Sequence, residues 1–427
     1  MSDAGGETDD LAARDAAIAL VAAALDRRSG FEEALNQAPF AALAGRDRTF
    51  ARMLAMTLLR RLGVIDRMLD QRLQRPPPDA VVMILRAGLA QALYLDTPAF
   101  AAVDTSVRLA ARSKATRPFK GLVNGVLRAV LREPAPADDP EALAPAWLFA
   151  RWRATYGEAA RAIAAVIPDE PATDLSLRDP ADAAALAAAL EAELLPGGGL
   201  RTRRRGDVTE WPGYAEGRWW VQDAAAQIPA RLLAVRPGEA VLDLCAAPGG
   251  KTLQLAAAGA AVTALDRAPA RLTRLAETLA RTGLSAGTLA SPAETWRDRR
   301  QFAAVLLDAP CSATGTFRRH PDVLWGLKPG DIASLAGAQA RLLDTAAARV
   351  APGGRLVYAV CSLEPEEGEA QVVAFLRRHG GFRIDPIAPG EGGAPEASAT
   401  ASGAVRILPF HRDGGLDGFF IARFRRA

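Results

Sequence analysis

Between residues 237 and 360 the chain alternates between two hydrophobic periods. Short runs dominated by Val, Leu and Ala, at 240–244, 261–265, 302–307 and 355–360, are separated by segments of helical spacing such as 268–282 and 331–350. A continuous apolar run that gives way to Gly, Pro or Ser reads as a strand buried on both faces. Strands that alternate with helices build a parallel sheet covered on both sides. The expectation is an open α/β domain, whose ligands bind outside the carboxyl ends of the strands.

All three cysteines fall at such ends: Cys245 in VLDLCAAPGGKT, Cys311 in LLDAPCSATG and Cys361 in LVYAVCSLEPEE. A free cysteine usually packs as a small buried hydrophobe. Three that occur only where strands meet ligand-binding loops point instead to thiol chemistry. Their odd number and wide spacing fit reduced thiols better than a disulfide framework.

The loop that follows the first strand contains a decoy. GGKT resembles the end of a phosphate-binding loop, yet the first glycine of G-x-x-x-x-G-K-[ST] falls on Cys245, and no G-x-G-x-x-G is present. What remains is a strand, a tight turn of Gly and Pro that lets a ligand approach the backbone, and a helix N-terminus. Asp266, at the end of the next strand, is placed to accept hydrogen bonds from ribose hydroxyls. Together these features suit an adenosine-containing cofactor.

Upstream, residues 1–135 read as wholly helical, and the Pro- and Asp-rich stretch 132–145 reads as a linker. We expect three parts: a helical domain at 1–135, a connecting subdomain at 140–232 with a short strand near Leu175, and the α/β domain at 233–427. The stretch 389–403 is of low complexity and reads as a mobile loop, and FFIARFRR supplies a last strand. Half of the residues are hydrophobic and 24% are charged, enough for sizeable cores. The opening MSDAGGETDD is acidic, and no apolar run nears the roughly 18 residues that span a bilayer. A cytoplasmic protein without a membrane segment is therefore expected. The net charge of +3 does not announce a polyanion partner by itself. The basic cluster 317–322 lies close behind Cys311, so Arg318, Arg319 and His320 are candidates for phosphate contacts beside the same cleft. With only His320, His379 and His411 in the chain, no histidine-rich metal site is expected.

DLCAAPGGKT, DAPCSATG with RRHPD, and YAVCSLEPEE, in this order, closely resemble the RNA cytosine-5 methyltransferases of the NOL1/NOP2/Sun family. FKGLVNGVLR and the helices around it resemble a NusB-like domain, while WWVQDAAAQ and LPFHRDGGLDGFFIARFRR also match the family, so the likeness covers nearly the whole chain. The resemblance implies a Rossmann-like methyltransferase domain behind an all-α NusB-like domain. It implies S-adenosyl-L-methionine as cofactor, cradled by Cys245, Ala246, Ala247, Pro248, Gly249, Gly250 and Lys251, with Asp266 on the ribose and Asp308 near the methionine end or the target base. Where relatives carry an adenine-contacting Asp, this chain has Ser291 and Pro292, so that contact is lost or supplied otherwise, as by Glu294.

The chemistry implied explains two thiols. Carbon 5 of cytosine is a weak nucleophile until a thiolate adds to carbon 6. By resemblance that thiolate is Cys361, and Cys311 serves product release. The target cytosine must be unpaired or flipped. Small-subunit ribosomal RNA is the expected partner of a monomeric enzyme that uses no metal. Transfer RNA or another RNA as substrate, and a non-catalytic RNA-binding scaffold, are the alternatives.

Overall fold

The computed structural model describes residues 6–26 and 30–427. They form two compact units, Met1–Asp169 with Phe317–Leu327, and Glu170–Thr316 with Lys328–Ala427.

The first unit is helical, as the apolar spacing of its sequence requires. Gly45–Arg60 buries Ala51, Leu54, Ala55 and Leu58, and Asp79–Tyr94 buries Val81, Ile84, Leu85 and Leu89. Both sets recur every three or four residues and so line one face of a helix. Gly88 lets Asp79–Tyr94 approach Ala99–Arg112, because a Cβ there would stand 2.7 Å from the Ser106 hydroxyl. The unit extends past the expected linker through Ala146–Tyr156 and Ala159–Ala165. Buried Arg60 secures that end by donating to the carbonyls of Ile167 and Asp169, at 3.1 and 3.0 Å. Segment Phe317–Leu327 completes the core: Phe317 packs 5.8 Å from Trp152, and the Trp325 indole donates to the Leu59 carbonyl at 2.9 Å. Residues 140–169 and 317–327 both pack with the helices of the first unit.

The second unit opens with β1 (Thr173–Leu177), β2 (Glu193–Leu194), β3 (Leu200–Thr202) and β4 (Trp219–Val221), an antiparallel sheet in the order β2-β3-β1-β4. Leu175, Leu186, Leu200 and Trp219 form its own small core. The stretch read as an irregular connector therefore carries more order than one strand.

The main sheet consists of β5 (Ala240–Leu244), β6 (Ala261–Asp266), β7 (Gly287–Ala290), β8 (Phe302–Asp308), β9 (Val350–Val360), β10 (Phe382–Ile384), β11 (Val405–Ile407) and β12 (Phe419–Arg426). Its order is β10-β12-β9-β8-β5-β6-β7, and β11 also pairs with β12. Pairing from β7 through β9 is parallel, as the alternation of strands and helices predicts. β10, β11 and β12 add an antiparallel edge, which makes the sheet mixed. Alternate residues feed opposite faces: Val241, Ala304, Leu306 and Val357 join one core, and Leu242, Val305, Leu307 and Leu356 the other.

Residues 389–403 are folded rather than a bare loop. Ala394 and Ser398 are 5% and 1% exposed, Glu391 pairs with Arg423, and Ala399 bridges to Val405. Among the described residues no helix is long and apolar enough to cross a membrane.

Candidate active site

The sheet runs outward from β5 in two directions, to β6 and β7 on one side and to β8 and β9 on the other. The reversal opens a crevice beyond the carboxyl ends of β5 and β8, the place where such sheets take ligands. Cys245, Asp266, Asp308, Cys311 and Cys361 all lie at or just past these strand ends.

The loop after β5 turns sharply. Cys245 has φ of 61° and Gly249 of 114°. A Cβ at Gly249 would stand 2.3 Å from a Leu275 methyl, so only glycine fits. The helix Gly250–Ala257 begins immediately after it. Asp266 braces the loop from β6: its carboxylate accepts from the Ala247 amide at 3.1 Å and the Ala268 amide at 2.9 Å. Arg271 donates to the Ala247 carbonyl.

Three carboxylates converge beneath this loop. Asp243 is fully buried; Thr252 donates to one of its oxygens at 2.6 Å, and the other has no hydrogen-bond partner among the described residues. Burial pushes its pKa up to about 7 against the pull of Thr252, with Asp308 and Asp266 adding and Lys251 opposing. The Cys245 thiol is pushed up to about 12 by burial and then by Asp308, Asp266, Asp243 and Glu294. Cys245 is therefore a neutral lining group, not a nucleophile. A buried acceptor without a donor, beside two further carboxylates and a glycine turn, suits a ligand that brings positive charge and hydroxyls. S-adenosyl-L-methionine, with its sulfonium, ammonium and ribose, has that chemistry.

On the other side of the crevice, Lys251 donates to Asp308 at 2.7 Å, with Phe419 beneath the ammonium at 5.4 Å. Burial lowers the ammonium's pKa, but Asp308, and beyond it Cys361 and Asp243, outweigh this and raise it. Lys251 is thus a cation that faces the Cys361 thiol. Cys311 and Cys361 stand with their sulfurs 3.5 Å apart. The Cys311 thiol is held well above its ordinary pKa, first by its hydrogen bond to Cys361, then by burial and by the charges of Cys361 and Glu367. The two thiols thus share one hydrogen bond at the mouth of the crevice.

Neighbouring strands explain the meeting of the thiols. Asp308 in β8 lies opposite Ala359 in β9, so the loops that leave these strands start side by side. The Gly315 amide donates to the Cys361 carbonyl at 3.0 Å, and a Cβ at Gly315 would strike the Gly418 carbonyl at 2.0 Å. Beneath both cysteines lies a buried polar cluster of Ser312, Thr314, Gln339, Ser362 and Glu367, which motif reading passed over. Its one sequence signal is the serine that follows each cysteine.

Arg318 departs from expectation. It is 2% exposed and belongs to the helical unit, so its guanidinium is packed inside rather than offered to phosphate. Arg319 and His320 are half-buried in that unit, where the imidazole lies 3.8 Å from Glu32. Ser291 and Pro292 follow β7, where the Ser291 amide donates to the Asp266 carbonyl at 3.0 Å. Among the described residues no group of three His, Cys, Asp or Glu side chains is arranged to hold a metal ion.

Comparison with known proteins accords with this geometry. Residues 230–425 match the family described as 16S rRNA methyltransferase RsmB/F, and residues 11–132 match the NusB family. The chain is 37% identical to ribosomal RNA small subunit methyltransferase B of Xanthomonas campestris pv. campestris, over 98% of each chain. It is 36% identical to the probable ribosomal RNA small subunit methyltransferase B of Synechocystis sp., over 93% of this chain and 94% of the relative. Its fold matches the crystal structure of PH0851 with a TM-score of 0.77 at 24% identity, over 97% of this chain and 99% of that one. The chain belongs to the RsmB/F family of 16S rRNA methyltransferases, with a NusB-family domain ahead of an S-adenosyl-L-methionine-dependent methyltransferase fold.

Proposed function

We propose that this protein methylates carbon 5 of a cytosine in small-subunit ribosomal RNA, acting in the cytoplasm as a monomer, with Cys361 as nucleophile and Cys311 as the group that releases product. The observation that carries the reading is the thiol pair: two sulfurs 3.5 Å apart past the ends of adjacent strands, with Cys361 within electrostatic reach of the buried Lys251.

The Cys361 thiolate, with the Lys251 cation and the Cys311 thiol beside it, adds to carbon 6. A C–S bond forms, and the C5=C6 electron pair moves to carbon 5, which becomes an enamine carbon. S-adenosyl-L-methionine, when bound, supplies the methyl group as an electrophile on sulfonium sulfur. Cys245, Ala246, Ala247, Pro248, Gly249 and Gly250 form its cradle, and Asp266 receives the ribose. Asp308, held by Lys251 at 2.7 Å, accepts a hydrogen bond from the cytosine amino group.

Release follows from the same pair. Once Cys361 is a neutral thioether, the charge that raised the Cys311 pKa is gone, and Cys311 can yield its proton to solvent. The resulting thiolate takes the proton from carbon 5, the C5–H electron pair restores the C5=C6 bond, and the C–S bond breaks to return Cys361 as thiolate. Arg319 and His320, both half-buried, contact the RNA; Arg318, packed inside the helical unit, does not.

The test is methyl transfer from labelled S-adenosyl-L-methionine to unmodified small-subunit RNA. Wild type is expected to make 5-methylcytosine, Cys361→Ala to be inactive, and Cys311→Ala to accumulate a covalent RNA adduct. An adduct in Cys361→Ala reverses the two roles, and no transfer by wild type to this RNA overturns the reading.

A further inference from the structure

Glu367 is 0% exposed and lies at the far end of the Cys361 loop, six residues past that cysteine, and its carboxylate ties this loop to the one that bears Cys311. One oxygen accepts from the Ser312 amide at 2.9 Å and from Gln339 at 3.0 Å. The other accepts from the hydroxyls of Ser312 and Ser362, each at 2.5 Å. Ser312 directly follows Cys311, and Ser362 directly follows Cys361. The sheet fixes β8 and β9 only as far as Asp308 and Val360, so Cys311 lies three residues beyond its support. Past that point the Gly315 amide, the Thr314 hydroxyl and the Glu367 carboxylate join the two thiol-bearing segments, and Glu367 holds the serine next to each cysteine at the shortest distances. Its own place is fixed through the Tyr358 hydroxyl, which donates to the Glu367 carbonyl at 2.6 Å, and through Gln339, which also donates to the Pro310 carbonyl at 3.0 Å.

We propose that Glu367 is a positioning residue that sets the separation of the two thiols by accepting from the serine next to each of them. The inference rests on the proposed function for its catalytic consequence but not for its geometry. An ionised carboxylate is needed because all four groups on it donate. A glutamine keeps the size but turns one acceptor into a donor that faces two hydroxyls, which must then rotate or withdraw. The loop with the longer unsupported reach, that of Cys311, is the one expected to drift. A misplacement of about 1 Å costs on the order of 100-fold in a step that demands contact. The step that suffers is release, since Cys361 sits directly on the end of β9.

The separation can be read without RNA or cofactor. Diamide removes two electrons and two protons from a close pair of thiols, forms the S–S bond and becomes the corresponding hydrazine. The rate of Cys311–Cys361 disulfide formation, mapped by peptide mass, therefore reports how often the sulfurs meet, and urea unfolding of each variant serves as the control for folding. The full-length protein is used as wild type, Glu367→Gln, Ser312→Ala and Cys311→Ala. Glu367→Gln is expected to slow disulfide formation by roughly tenfold or more while it remains folded. In methyl transfer it is expected to raise the covalent RNA adduct several-fold with KM for RNA unchanged. Ser312→Ala moves both measures in the same direction by less, and decides the matter if Glu367→Gln does not fold. A disulfide rate at the wild-type level in folded Glu367→Gln overturns the inference. So does a wild-type adduct level where Cys311→Ala accumulates adduct. If Cys311→Ala itself accumulates none, the reading of Cys311 falls, and the disulfide rate alone decides for or against Glu367.

Discussion

Replacing Asp243 by asparagine should change how the stability of this protein depends on pH. The Asp243 carboxyl is 0% exposed, receives one hydrogen bond from Thr252, and has its pKa pushed from 3.8 to about 7, chiefly by burial. The folded protein thus holds a proton that the unfolded chain releases once the pH exceeds 3.8. This group's contribution to stability is complete below pH 3.8, falls as pH rises, and levels off above about 7. Each pH unit in that window corresponds to about 1.4 kcal/mol, so the full loss is on the order of 4 kcal/mol. Asparagine keeps an acceptor for Thr252 and does not titrate, so its own effect is a constant offset. Urea unfolding followed by tryptophan fluorescence at pH 5, 6, 7 and 8 should show the variant gaining on wild type by roughly 2–3 kcal/mol across the series. A difference that stays flat, or one that moves in favour of wild type as pH rises, would mean that Asp243 is ionised in the fold and would refute the argument.

Further outcomes are expected elsewhere in the second unit. Lys251→Met removes the cation that faces Cys361, so the pH–rate profile for methyl transfer should move to higher pH, with the rate near neutrality down on the order of tenfold; an unmoved profile would show that the lysine does not support the thiolate. Arg201 holds Asp174 at 2.7 Å with 7% and 1% of their side chains exposed. Arg201→Met should therefore cost about 3–5 kcal/mol in urea unfolding, and a loss below about 1 kcal/mol would contradict the role assigned to burial. Gly249→Ala places a methyl 2.3 Å from Leu275 at φ of 114°, and should weaken S-adenosyl-L-methionine binding measured by calorimetry; an unchanged Kd would show that the turn yields.

The sequence carried the strands of the main sheet because each is a short apolar run cut off by turn residues. It carried Cys311 and Cys361 because both stand directly at such cuts. What it did not carry is adjacency. Ser312 meets Ser362 and Glu367 only because β8 and β9 are neighbours, and nothing in local spacing states that order. The Arg318 expectation failed for a related reason: a run of basic residues gives charge but not burial, and the segment that bears it packs among helices far upstream in the chain. β2, β3, β4, β7, β10 and β11 were missed because strands of two to four residues give too few alternations to register a period. Composition misled at 389–403, where small residues allow close packing as readily as they allow mobility.

The segment Phe317–Leu327 bears on the order in which the protein is made. Helices up to Asp169 emerge from the ribosome first, but Phe317, which packs on Trp152, and Trp325, which caps the Leu59 carbonyl, are synthesised much later. At about 5–20 residues per second the wait is on the order of ten seconds. During that interval the nascent helical unit has an unfilled core, a surface that a chaperone can hold. Translation speed between residues 170 and 317, rather than the sequence of the first unit alone, sets how long that exposure lasts.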